Sequence, residues 1–137
     1  MRIFLDANIL FSAAKSDGAI RQLLGALSRS RHELVADGYV VEEARRNLAT
    51  KAPDDLHALE IVLRNVTLAP IAMIGSDAAG ISALPEKDRP VLAAAIEHRC
   101  DFLVTGDRSH FGPLYGRTIG GVRILAPTDL AKQLQAT

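Results

Sequence analysis

The 137-residue chain predicts an α/β fold, a three-layer α/β/α sandwich around a mainly parallel central sheet. Two observations lead there. Short apolar runs rich in strand formers alternate with segments of helical periodicity, the pattern of a parallel sheet covered on both faces. The composition can fill such a core, with 48% hydrophobic residues and a mean hydropathy of +0.12. Aromatics make up only 4% and Trp is absent, so Ala, Leu, Val and Ile must form that core.

Arg2–Leu5 reads as the first strand, and Asn8–Lys15 as a loop or a helical turn. Ser16-Asp17-Gly18 signals a helix start, and Ala19–Ser28 carries Ile20, Leu23, Leu24 and Leu27 at helical spacing. Glu33–Ala36 is a second strand. Tyr39–Thr50 is helical, with Val40, Val41, Ala44 and Leu48 on one stripe and Arg45 and Arg46 off it. Pro53 suits a first turn, so Asp54–Asn65 forms the next helix. Val66–Ile71 is a third strand and Ser76–Leu84 a short helix. Asp88–Arg99 is a clear helix, with Asp88 fitting an N-cap and Pro90 the first turn. Phe102–Thr105 is a buried strand, Arg108–Gly121 a Gly-rich loop, Val122–Leu125 a last strand and Pro127–Leu134 a last helix. Repeats, low-complexity tracts and linkers are absent, and the length suits one domain over residues 1–137.

Charge and cysteine content narrow the function classes. The net charge is zero and the pI near 6.9, so no global basic footprint marks a nucleic-acid partner, although a local patch stays open. Cys100 is the only cysteine and excludes an intramolecular disulfide. The N-terminus lacks a clear basic region and is interrupted by Asp6 and Asn8, so it does not read as a signal peptide. No stretch approaches the roughly 18 apolar residues of a membrane helix. A soluble, cytoplasmic protein with no membrane partner is expected.

Two predicted strands run into acids: Asp6 follows Ile3-Phe4-Leu5, and Asp107 follows Phe102-Leu103-Val104-Thr105-Gly106. A charge at the end of a buried strand is costly unless paired or bound to a metal. In a parallel sheet all carboxyl ends share one edge, where ligands bind in open α/β folds. Helices that return to parallel strands begin near that edge, which adds Asp88 and Glu43. Four carboxylates together repel unless a cation neutralises them, and Mg²⁺ or Mn²⁺ suits oxygen ligands. Such a site fits phosphodiester chemistry. Each acid also has a plain reading alone: Asp6 as a cap or turn, Asp88 as an N-cap, Glu43 as a solvated helix residue, Asp107 as a turn. Asp101 and Asp129 read as loop and cap residues, and His32, His57 and His98 show no ligand-like spacing.

The segments L-D-A-N-I-L (Asp6, Asn8), V-V-E-E-A-R-R-N-L (Glu43), K-D-R-P-V-L-A-A-A-I (Asp88) and C-D-F-L-V-T-G-D-R-S-H-F (Asp107) together resemble the PIN domain nucleases, and more narrowly the VapC-like toxin ribonucleases of toxin–antitoxin pairs. The resemblance covers nearly the whole chain. It implies a Mg²⁺- or Mn²⁺-dependent endoribonuclease with Asp6, Asp88 and Asp107 as metal ligands, directly or through water, and Glu43 completing the cluster. Glu42 is adjacent to Glu43; the A-R-R-N-L that follows favours Glu43. Asn8 and Thr105 would help by hydrogen bonding to the cluster or to the substrate, and His110 would contact phosphate or the leaving group. Arg45, Arg46, Arg89 and Arg108 are candidate RNA contacts, because guanidinium matches phosphate geometry. The resemblance further implies an RNA substrate, a small antitoxin partner and a homodimer, with Leu48, Leu56, Leu59 and Leu63 as candidate groove or dimer surface and equally as core residues. A haloacid-dehalogenase-like phosphatase also opens with a strand and an acid, but needs Asp-x-Asp where this chain has Asn8. A stand-alone RNA-processing nuclease fits the same residues. So does a PIN-fold binding module without catalysis, although the intact set of four acids speaks against it.

Overall fold

The computed structural model describes residues 1–72 and 80–135. Its central sheet has six strands: β1 (Arg2–Leu5), β2 (Glu33–Asp37), β3 (Val66–Ala69), β4 (Phe102–Val104), β5 (Thr118–Ile119) and β6 (Val122–Leu125). Around it lie α1 (Ala7–Lys15), α2 (Ala19–Arg29), α3 (Gly38–Lys51), α4 (Leu56–Leu63), α5 (Arg89–Glu97), the single turn α6 (Arg108–Phe111) and α7 (Pro127–Gln135). The expected α/β sandwich is present. None of the helices among the described residues is long and apolar enough to cross a membrane.

The strand order is β3-β2-β1-β4-β6-β5. All pairings are parallel except that of β5 with β6. Ile3, Phe4 and Leu5 are fully buried, as a central strand covered on both faces requires. The chain moves outward from β1 to β2 and β3, then returns to place β4 on the other side of β1. With right-handed crossovers the first four helices cover one face and α5 the other. The order therefore reverses between β1 and β4. In open α/β sheets the crevice outside the carboxyl ends at such a reversal is the ligand-binding position.

Element boundaries depart from expectation where side chains act as caps. Asn8–Lys15 is a full helix starting one residue earlier, because Asp6 caps it: Oδ1 accepts from the Ala7 amide at 2.7 Å. The second strand extends to Asp37, whose Oδ1 accepts from the Val40 amide at 3.1 Å and starts α3. Burial pushes the Asp37 carboxyl above its usual range, and the Val40 and Tyr39 amides draw it partly back. The third strand stops at Ala69. Of the expected helix Ser76–Leu84, residues 76–79 lie outside the described residues, and Ile81–Ala83 forms a single 3₁₀ turn. Cys100 is buried, and that burial pushes its thiol up to about 11.

The expected Arg108–Gly121 loop is more ordered than its glycines suggest. It holds α6, a 3₁₀ turn at Gly112–Leu114, and a hairpin between β5 and β6. Gly120 and Gly121 are its two loop residues, with φ of +57° and +85°, the left-handed backbone that tight two-residue hairpins need. A Cβ on Gly120 would lie 2.9 Å from Cγ1 of Ile96, while one on Gly121 would meet nothing within 4 Å. Gly120→Ala should therefore cost about 2–3 kcal/mol, from overpacking added to left-handed strain, and Gly121→Ala about 1. Denaturant midpoints of the two variants measure the difference; equal losses would contradict this packing.

Candidate active site

The carboxyl ends of β1 and β4 meet directly, with the Asp6 amide donating to the Val104 carbonyl at 3.1 Å. Thr105 follows, fully buried, and its hydroxyl organises the floor of the crevice. Thr105 Oγ1 donates to Asp6 Oδ2 at 2.8 Å. It accepts from Asn8 Nδ2 at 3.2 Å and from the Asp107 amide at 3.1 Å. Asn8 completes the frame: Nδ2 donates to Asp6 Oδ2 at 3.3 Å, and Oδ1 accepts from the Gly106 amide at 2.8 Å. Asn8 and Thr105 thus hold Asp6 and the backbone that carries Asp107.

Asp6 is 4% exposed. Its burial raises the carboxyl from 3.8 to about 6. Hydrogen bonds from Thr105 and Ala7 oppose that rise, and the negative charges of Glu43 and Asp88 add to it. The charge of Glu43 therefore acts on Asp6. Glu43 is half-buried on α3, whereas Glu42 faces solvent.

Asp88 occupies the N-cap position of α5 but makes no side-chain cap hydrogen bond. That corrects the simple capping reading of this residue. Its carboxylate turns instead to His110, with Oδ2 2.8 Å from Nδ1. Asp107 caps α6 by accepting from the His110 amide at 3.1 Å through Oδ1, and its Oδ2 lies 3.0 Å from the same Nδ1. Potential ligand atoms of Asp88, Asp107 and His110 all lie within 4.8 Å of one another. Asp6 and Glu43 stand outside this trio. The donor set suits a divalent cation: two carboxylates and an imidazole converge, and two further acids add negative charge.

Both tyrosines of the chain brace the site, a role with no mark in the sequence. The Tyr39 hydroxyl donates to the Lys87 carbonyl at 2.5 Å, tying the start of α3 to the residue before Asp88. The Tyr115 hydroxyl donates to the Thr105 carbonyl at 2.8 Å. Burial raises both phenols; Glu43 and Asp88 push Tyr39 further up, and Arg108 pulls Tyr115 back. Aromatic residues at helical or loop positions carry no sequence signal for such bracing.

The four arginines separate. Arg45 pairs with Glu60 at 2.6 Å across α3 and α4. Arg89 donates to the Leu84 carbonyl at 3.0 Å and the Ser82 carbonyl at 3.3 Å, fastening the segment before α5. Arg46 and Arg108 are exposed, and their charges reach Tyr39 and Tyr115 at the site. Of the four leucines expected on a groove or dimer surface, Leu48 and Leu59 are fully buried and belong to the core; Leu56 and Leu63 are partly buried against it.

The backbone is similar to several solved structures. VapBC2 from Rickettsia felis, bound to a DNA fragment from their promoter, matches with a TM-score of 0.66 at 15% identity, over 92% of this chain and 98% of that one. VapBC-1 from nontypeable Haemophilus influenzae gives 0.59 at 13% identity, over 93% and 99%. Mycobacterium tuberculosis VapC20, a sarcin-ricin loop cleaving toxin, gives 0.53 at 12% identity, over 78% and 91%. No curated protein matches the chain in sequence. The family model described as PIN domain matches residues 2–109, from the first strand through Asp107, and the chain belongs to the PIN domain family.

Proposed function

We propose that the chain is a single PIN nuclease domain, a metal-dependent endoribonuclease acting as the toxin of a toxin–antitoxin pair. The observation that carries the reading is the meeting of Asp6, Glu43, Asp88 and Asp107, from four separate segments, at the sheet's reversal point. Asp88 and Asp107 would hold Mg²⁺ or Mn²⁺, with Asp6 bound directly or through water. When bound, the cation neutralises the cluster and supplies water activation and charge stabilisation at phosphorus. Asn8 and Thr105 keep Asp6 aimed into the crevice. Glu43 orients the attacking water and accepts its proton. Arg46 and Arg108 would steer the phosphate backbone, a reading supported by their exposure and by the engagement of Arg45 and Arg89 elsewhere. The sarcin-ricin loop activity of the M. tuberculosis relative supports RNA as substrate, and the VapBC complexes support a small antitoxin partner. The family resemblance supports a homodimer in the cytoplasm.

The test uses protein freed of any co-purifying partner, with structured RNA and Mn²⁺ or Mg²⁺. Cleavage should appear with metal and vanish with chelator. Glu43→Gln should lower the rate by about 10²-fold or more, and Glu42→Gln should leave it within about twofold. Absence of metal-dependent cleavage, or equal losses in both variants, would overturn the assignment.

A further inference from the structure

We propose that His110 is a nitrogen ligand in the metal site and that it biases the site toward Mn²⁺ over Mg²⁺. The inference rests on the metal-dependent reading above and extends it to the identity of the ion. Its basis is the position of one atom. His110 Nδ1 lies 2.8 Å from Asp88 Oδ2 and 3.0 Å from Asp107 Oδ2. These are contact distances, yet Nδ1 and Asp88 Oδ2 are both shielded from solvent and neither has a partner in hydrogen-bonding geometry. A carboxylate oxygen and an imidazole nitrogen that face each other without a hydrogen bond are a pair of ligand atoms suited to one cation. A cation between them would satisfy both. The ring is held in place by its own backbone, because the His110 amide donates to Asp107 Oδ1 and fixes the single turn of α6. The imidazole therefore faces the same carboxylate that its amide binds.

Ligand chemistry then sets the preference. Mg²⁺ demands oxygen ligands and readily keeps water in place of a protein group. Imidazole suits the softer first-row ions, and affinity at mixed nitrogen and oxygen sites rises across that row. An all-carboxylate site would hold Mg²⁺ and Mn²⁺ with similar ligands; a site with His110 in it favours Mn²⁺. The competing role is an ion pair in which His110 merely bridges Asp88 and Asp107 and excludes the cation. The two roles predict opposite signs, since removing a ligand weakens binding and removing a competitor tightens it.

The experiment uses full-length protein stripped of metal and partner. Calorimetric titration measures Mn²⁺ and Mg²⁺ affinity for the wild type, His110→Ala and His110→Gln. Pulsed electron paramagnetic resonance of the Mn²⁺ complex, with ordinary and ¹⁵N-labelled histidine, reads nitrogen ligation directly. The expected result is a histidine nitrogen coupling in the wild type that is lost in both variants. Mn²⁺ binding should weaken about tenfold or more, and Mg²⁺ binding should change by less than about threefold. Binding of Mn²⁺ without histidine coupling, a coupling that survives in His110→Gln, or tighter Mn²⁺ binding in either variant overturns the ligand assignment alone. Failure of the wild type to bind either ion would overturn the metal-site reading itself.

Discussion

Replacing Asp6 by Asn should cut metal-dependent cleavage steeply and, in metal-free protein near neutral pH, make the fold more stable. The two effects have one cause. Asp6 is nearly inaccessible, and burial raises its carboxyl from 3.8 to about 6. The folded state therefore holds the proton more tightly than the unfolded chain. The stability associated with the neutral acid is present in full below the unfolded value of 3.8 and is lost as pH climbs through about 6. A shift of this size corresponds to about 3 kcal/mol at neutral pH. Asn has no charge to desolvate. It also loses one acceptor, since Oδ1 serves the Ala7 amide and Oδ2 serves Thr105 and Asn8. The net gain should be about 1–2 kcal/mol at pH 7, shrinking toward pH 4. Cleavage should fall by about 10³-fold, equivalent to about 4 kcal/mol of lost stabilisation at the reacting phosphate. Denaturant midpoints in chelator across pH 4.5 to 7.5 measure the first effect, and single-turnover cleavage the second. Parallel pH profiles for the two proteins would refute the buried-acid account.

Thr105→Val should be the most destabilising near-isosteric change in the site. One hydroxyl supports three groups from two strand ends: it donates to Asp6 and accepts from Asn8 and the Asp107 amide. Valine fits the space and leaves all three without that partner, Asp6 in a buried setting and Asn8 and the Asp107 amide in part-buried ones. The expected loss is about 2–4 kcal/mol of stability, with metal binding and cleavage each down about 10- to 100-fold. Thr105→Ser retains the hydroxyl and should recover most of both. Chemical unfolding and Mn²⁺ titration distinguish the outcomes; a loss below about 0.5 kcal/mol in the valine variant would remove Thr105 from the centre of the network.

The fold is legible in the sequence because its signals are local. Ile3-Phe4-Leu5 and Phe102-Leu103-Val104 are apolar runs with no polar face, and in the fold both are strands at the middle of the sheet. The helix after Asp88 is marked by its N-cap position and by Pro90 in the first turn, and the α3 helix by the stripe of Val40, Val41, Ala44 and Leu48. Boundaries are less legible where a side chain ends or starts an element. Asp6 and Asp37 are caps that the apolar pattern does not mark, so that pattern makes α1 too short and cuts β2 one residue early. The β5–β6 hairpin escapes it because two consecutive glycines read equally as loop and as tight turn.

For the site, the acids at strand ends and helix starts are determined by the sequence itself. Parallel topology sends every strand's carboxyl end to one edge, and that rule needs no distances. What only the tertiary structure decided is how those acids relate. Glu43 rather than Glu42 acts on Asp6 because the packing of α3 turns Glu43 partly inward and leaves Glu42 in solvent. Asp88 faces His110 instead of capping its own helix. Arg89 folds back onto Leu84 and Ser82, and Arg45 onto Glu60, while Arg46 and Arg108 remain exposed. The hydroxyl that binds the floor together joins residues 97 and 99 positions apart. Periodicity and spacing report a few turns of chain at a time. Contacts across that separation are set by strand register and helix packing, which appear only once the sheet is assembled.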